Sequence, residues 1–130
     1  MISYDNLHKE ADKVRKMAYA PFSGLKVGAA LMVKSGKIYT GCNIENISYG
    51  LTMCAERVAI YKAISSGDKD IKKIYILADT DKPISPCGAC RQVIREFGRN
   101  IIIIMSNLEK NRKKSNIKEL LPAGFKKGDF

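Results

Sequence analysis

No stretch of the 130-residue chain approaches the roughly 18 consecutive apolar residues that a helix needs to cross a bilayer, so a helical membrane span is excluded. The opening Met1-Ile2-Ser3-Tyr4-Asp5 lacks the charged-then-apolar order of a signal peptide, which predicts a cytoplasmic protein with no membrane partner. Histidine is nearly absent: His8 is the one imidazole, set in a helical stretch and expected at the surface with no metal role. Repeats, low-complexity tracts and linkers are missing too. The chain is therefore expected to form a single domain over residues 1–130, and its 45% hydrophobic content suffices for a core without disulfide or oligomeric support.

Acidic residues are scarce beside basic ones, 13 against 23, for a net charge of +10. A basic surface can release phosphate counterions, but the distribution argues against nucleic acid as a partner. The lysines are mostly single, and the dense run Lys110, Arg112, Lys113, Lys114 sits among Asn107, Asn111, Ser115 and Asn116, the composition of a solvated turn. No aromatic side chains interleave with it to stack bases.

Leu7, Ala11, Val14 and Ala18 recur at helical spacing behind a possible Ser3 cap, which predicts a helix over residues 4–19 ended by Tyr19-Ala20-Pro21. Residues 27–33 and 37–44 flank Ser35-Gly36 and read as an antiparallel hairpin. A helix over 53–65 stopped by Gly67, a strand over 73–79, a helix over 88–97 closed by Gly98 and an apolar strand over 101–105 follow. The alternation predicts an α/β fold with right-handed crossovers and an at least partly parallel sheet, the last strand returning by a hairpin.

Four cysteines are present, and their grouping favours metal over disulfides. Cys54-Ala55-Glu56-Arg57 and Pro86-Cys87-Gly88-Ala89-Cys90 supply Cys54, Cys87 and Cys90 as three soft ligands. That set suits zinc, one ion per chain, with a fourth position open for water. Both groups fall at helix starts, where free backbone N–H groups stabilise thiolates. Arg57 and Arg91, each directly after a site residue, are candidate donors to the sulfurs. Cys54 and Glu56 would point about 200° apart on a regular helix, so both can face one metal only at the helix start. Cys54 then occupies the capping position and Glu56 the first turn, near the metal without binding it, where a carboxylate can serve as general base and then general acid. Asn43 and Glu45, two apart in a strand, project from one face about 7 Å apart at its end, which by itself suits polar residues where a strand enters a loop and also allows a grip on a hydroxyl.

These two groups stand among further ordered strings: Tyr19-Ala20-Pro21-Phe22-Ser23, Val27-Gly28-Ala29-Ala30-Leu31, Gly41-Cys42-Asn43-Ile44-Glu45-Asn46, Ser85-Pro86-Cys87 through Ile94, and Leu120-Leu121-Pro122. With them the chain closely resembles the small, homotetrameric cytidine deaminases over nearly its whole length. The resemblance implies a three-layer α/β/α fold with a mixed five-stranded sheet and helices on both faces. It also implies zinc-dependent hydrolysis of cytidine and deoxycytidine to uridine and deoxyuridine plus ammonia, in pyrimidine salvage, by a homotetramer with shared active sites. Activated water would attack C4 of the base while Glu56 shuttles protons to N3 and to the departing amine. The Ala55 N–H would hold the base O2, Asn43 and Glu45 the 3′-hydroxyl. Tyr49 would lie near the sugar's 5′ end, and Phe125 would close a neighbouring subunit's pocket. Leu25 stands where the family usually has a Phe against the base, and Pro122-Ala123-Gly124-Phe125 departs from the usual order of small residues.

Two other readings fit parts of the pattern. One is a deaminase of another substrate, a cytosine nucleoside antibiotic or a base in nucleic acid; the antibiotic enzymes lack the Asn-x-Glu pair and the Arg after Cys-Ala-Glu, and many nucleic-acid editors have His at the Cys54 position. The other is a non-enzymatic basic module in which Cys42 completes a closed four-cysteine zinc site. The enzyme reading makes Cys42 a buried strand thiol instead.

Overall fold

The computed structural model describes residues 4–130; the Ser3 cap expected for the first helix lies outside them. The elements run α1 (Tyr4–Arg15), β1 (Val27–Val33), β2 (Ile38–Cys42), a 3-10 turn (Tyr49–Leu51), α2 (Ala55–Ser65), β3 (Ile71–Ala78), α3 (Gly88–Phe97), β4 (Ile102–Ser106), β5 (Arg112–Asn116) and α4 (Ile117–Leu120), with a last 3-10 turn at Lys127–Asp129. The five strands form one mixed sheet in the order β2-β1-β3-β4-β5. β1 is antiparallel to both neighbours, β3 and β4 are parallel across the α3 crossover, and β5 returns antiparallel to β4. Helices cover both faces, as the resemblance implied.

Period-two alternation explains the layers. On one face Ala29, Leu31, Ile74, Ile76, Ile103 and Met105 pack beneath α2 and α3; on the other Ala30, Met32, Tyr75, Leu77 and Ile104 meet Leu7 and Ala11 of α1. β1 is buried at every position because both its faces are covered. α2 presents Ala55, Ala59 and Ala63, each fully buried, so its backbone can lie directly on the sheet. A Cβ on Gly41 of β2 would meet Ala59 N at 2.5 Å and Ala55 O at 2.6 Å, so only glycine admits the helix at that distance. The far end of α2 closes in a Schellman turn: Gly67 at φ 91° donates to Ile64 O, and Asp68 N–H reaches Ala63 O.

Several expected boundaries shift for tertiary reasons. The first helix ends at Arg15, not at 19, because Tyr19 leaves the helix to pair with another segment: its N–H donates to Asn43 O at 3.0 Å, and its carbonyl accepts Glu45 N–H at 2.9 Å. β2 stops at Cys42, beyond which Ile44 alone bridges Tyr19 and Met53. The basic run expected as a solvated turn is a strand for the most part. The turn occupies 107–110, where Asn107 Oδ1 accepts Asn111 N–H at 2.9 Å, and Arg112, Lys113 and Lys114 pair with β4.

His8 is also placed differently from the surface position expected of it. It is 8% exposed, with Nδ1 2.7 Å from the hydroxyl of the fully buried Tyr75. Arg112 Nε donates to the same hydroxyl at 2.8 Å and Arg112 Nη2 to Asp5 Oδ1 at 2.8 Å. Because Arg112 occupies the acceptor side of the hydroxyl, Tyr75 gives its hydrogen to His8, which must carry its own proton on Nε2. Burial foremost, then the charges of Arg112 and Lys110, hold the His8 pKa below its ordinary value, with Asp12 and Asp5 opposing. The neutral ring is the form that suits the fold, while the unfolded chain takes a proton near pH 6.5. The stability this residue contributes is thus complete above about pH 6.5 and lost as the pH falls below it toward the folded-state pKa. The melting temperature of the protein should drop between about pH 7.5 and pH 5.5, and His8→Gln should drop less over the same window; equal slopes in both proteins would refute this role.

Candidate metal centre and active site

α2 and α3 begin side by side, and each is capped by a cysteine. Cys54 precedes α2 in extended conformation (φ −76°, ψ 153°), and Cys87 precedes α3 likewise (φ −65°, ψ 167°). Cys90 lies in the first turn of α3, fully buried, and its N–H donates to Cys87 Sγ at 3.5 Å. The sulfurs of Cys54, Cys87 and Cys90 all fall within 4.8 Å of one another, with Cys54 and Cys87 3.6 Å apart. Zinc–sulfur bonds of about 2.3 Å in a tetrahedron require sulfurs about 3.8 Å apart, so the trio fits a zinc ion with small adjustments and leaves one corner open. Cys42 is outside this cluster, half-buried on β2, its thiol pushed up by burial. The closed four-cysteine arrangement is therefore not what these residues form.

The electrostatics of the cluster suit a metal as well. The Cys54 thiol is lowered to about 5, first by a hydrogen bond from Cys90 and further by Arg57, whose Nη2 donates to its sulfur at 3.4 Å. Cys90, which keeps the shared proton, is pushed far up by that bond and by burial. Arg57 thus stands where the sequence put it, as a donor to sulfur, and its buried Nε finds no partner among the described residues. Arg91 does not. Its Nε donates to Pro86 O at 2.8 Å and its Nη1 to Leu120 O at 2.6 Å, so it ties the Pro-Cys-x-x-Cys turn to the C-terminal segment rather than reaching a sulfur. The reason is direction: from the second turn-position of α3 its long side chain runs back over the helix start toward bare carbonyls.

Glu56 is the second residue of α2 and 4% exposed. Burial raises its carboxyl to about 7, helped by the negative Cys54 and opposed by its own backbone N–H, which leaves it able to give or take a proton near neutrality.

Glu56 opens on a cavity of about 220 Å³ whose wall also carries Leu25, Asn43, Glu45, Ala55, Cys54 and Cys87. The sequence-predicted metal, acid-base and base-facing positions therefore converge on one space. Asn43 and Glu45 share its wall as a pair two residues apart should, although the strand itself stops one residue before them. Tyr49 is 73% exposed and lies in an adjoining cavity of about 420 Å³ that shares Ser23, Glu45 and Thr52 with the first. Its ring meets Phe22 edge-on at 5.9 Å. Phe125 is not brought to this chain's cavity; it is exposed beside Arg95 and Lys126 and stacks on Phe130 at 5.8 Å. Sequence reasoning missed Ser23, Thr52, Ile84 and Ser85 as wall residues. Ser85 and Thr52 could have been found from their places two residues before Cys87 and Cys54.

The chain matches the model of the cytidine and deoxycytidylate deaminase zinc-binding region over residues 1–106. It is 46% identical to a cytidine deaminase of Sporosarcina psychrophila, covering 97% of this chain and 93% of that one. It is 47% identical to one from Halalkalibacterium halodurans, covering 95% of each. Among solved structures, the cytidine deaminase of Burkholderia pseudomallei superposes with a TM-score of 0.92 at 40% identity, over 95% of this chain and all of that one. Zinc is accordingly the metal that the three clustered thiols and the matched region call for. A match over most of the chain, spanning the Cys54, Cys87 and Cys90 cluster, makes this protein a member of the cytidine and deoxycytidylate deaminase family.

Proposed function

We propose that the chain is a zinc-dependent hydrolase converting cytidine and deoxycytidine to uridine and deoxyuridine with release of ammonia. One observation carries this reading: a buried carboxyl poised near neutrality faces the same 220 Å³ cavity as the clustered sulfurs and the Asn43, Glu45 pair. Cys54, Cys87 and Cys90 would hold zinc, which when bound acidifies a water molecule and so supplies a nucleophile at neutral pH. Glu56 accepts one proton of the attacking water and passes it to N3 of the base, then takes the second proton from the new C4 hydroxyl and delivers it to the amine as the C4–N bond breaks and the C4 carbonyl forms. Burial raises its pKa in the metal-free chain, which narrows the gap between the proton-accepting and proton-donating forms that the two transfers use. Ala55, at the first position of α2, offers its backbone N–H to the base O2. Leu25 gives the base an aliphatic wall, and Asn43 with Glu45 receives the 3′-hydroxyl. Arg57 offsets the excess negative charge of three thiolates on a dication.

The wider reading follows the family. Tyr49, exposed at the outer cavity, would approach the 5′ end of the sugar, and Phe125, exposed away from its own chain's cavity, would complete a neighbour's site in a homotetramer. The whole chain would act as one catalytic domain in cytoplasmic pyrimidine salvage. Zinc-loaded protein mixed with cytidine, with uridine and ammonia followed by chromatography, tests the core claim. Equal amounts of the two products are expected. A chain holding one zinc without turning over cytidine or deoxycytidine would sink this assignment and point to another nucleoside.

A further inference from the structure

An ionised carboxylate accepts hydrogen bonds only, at about four lone-pair sites. In Glu45 three are taken. Oε1 accepts the N–H groups of Phe22 at 2.9 Å and Ser23 at 3.2 Å, and Oε2 accepts the Ser23 hydroxyl at 2.5 Å. These donors, the Ser23 hydroxyl foremost, hold the carboxyl below its ordinary pKa, so it is ionised at neutral pH. Ser23 Oγ is itself fixed by the Leu25 N–H at 3.0 Å, which aims its single hydrogen at Glu45. Asn43 is committed in a similar way: Oδ1 accepts Val27 N–H at 2.8 Å and Nδ2 donates to Leu25 O at 2.8 Å. What remains on this wall is one acceptor site on Glu45 Oε2, a second lone pair on Asn43 Oδ1 and one N–H of Asn43; the carboxylate site and the N–H are the complement of one alcohol that donates to the first and accepts from the second.

We propose that Ser23 is a positioning residue for sugar recognition, its hydroxyl occupying one side of Glu45 Oε2 so that the remaining lone pair meets a single sugar hydroxyl. The proposal rests on the reading of this cavity as a nucleoside site. Without the Ser23 hydroxyl, Glu45 is tethered through Oε1 alone and its carboxylate can rotate about the terminal torsion, which is broad and weakly restrained. The Leu25 N–H loses the same acceptor, but at this exposed turn water can replace it, so the effect stays with Glu45. Water competes for the second lone pair, and the substrate hydroxyl loses a fixed partner.

The test compares wild type, Ser23→Ala and Ser23→Thr on cytidine and on 3′-deoxycytidine, with zinc content and melting temperature alongside. For cytidine, Ser23→Ala should raise KM about tenfold, the scale of a hydrogen bond to a charged group, with kcat within about twofold. On 3′-deoxycytidine the variant and wild type should be alike, and Ser23→Thr, which keeps the hydroxyl at an exposed position, should restore the cytidine KM. An unchanged cytidine KM in Ser23→Ala would overturn the proposal. So would equal losses on both substrates, which mark a general disturbance of the turn. A wild type that deaminates cytidine without preferring it to 3′-deoxycytidine would remove the Asn43 and Glu45 role and this proposal with it, whereas a wild type inactive on both would overturn the assigned function.

Discussion

Glu56→Gln should cut kcat on cytidine by roughly a thousandfold or more, while zinc content stays at that of wild type. The amide keeps the volume of a side chain that is 4% exposed, yet neither accepts nor releases a proton near neutral pH. KM should change little, since Glu56 is not assigned to hold the sugar. The same substitution has a signature free of turnover. In metal-free protein the carboxyl rises from its ordinary 4.5 to about 7, so between those values the folded state binds more protons than the unfolded one. Stability then falls as the pH rises through that window, by something of the order of 3 kcal/mol in all. The metal-free Gln variant should lack that decline, and chemical denaturation at several pH values measures it. Substantial turnover in Glu56→Gln would end the assignment of the proton carrier.

Cys90→Ala should take zinc content from one per chain to below a tenth, by metal analysis after dialysis. Cys90 is the fully buried member of the trio, and two thiols cannot replace the chelate formed by three. Binding of zinc to the folded state alone contributes about 4 kcal/mol at a free-metal concentration a thousand times Kd, so wild type should melt well above the variant and fall to its level under a chelator. Acid should act in the same direction. Cys54, held at about 5, is ionised at neutral pH, but Cys90 retains a proton that zinc must displace, so affinity weakens as pH falls. A Cys90→Ala protein that keeps stoichiometric zinc would show that the metal lies elsewhere.

The metal site was readable because its logic is local. Cysteines at helix caps and a glutamate two residues on fix their own relative directions, and the crossover connections bring the two helix starts together. The long-range partners were not readable. His8 looked like a surface residue because its partner Tyr75 is 67 positions away. Arg91 looked like a sulfur donor because adjacency to Cys90 says nothing of Leu120 O, 29 residues on. Helix α1 ran too long in prediction since its apolar spacing continues to Ala18, while the pairing of Tyr19 with the segment after β2 overrides it. A polar, lysine-rich stretch reads as a turn unless the neighbouring strand is known to need an edge, and β4 needed β5.

That edge bears on whether another strand can add to the sheet. β5 is the last strand of the sheet, and an uncovered last strand invites another to add by backbone pairing. Lys113 and Lys114 are exposed on it, while Arg112 turns its charge inward to Tyr75 and Asp5. A second β5 docked there would set like ammonium groups opposite one another and strip their water. Growth into a continuous ribbon is thereby disfavoured, and crowding in concentrated solution should yield discrete, soluble particles rather than fibres.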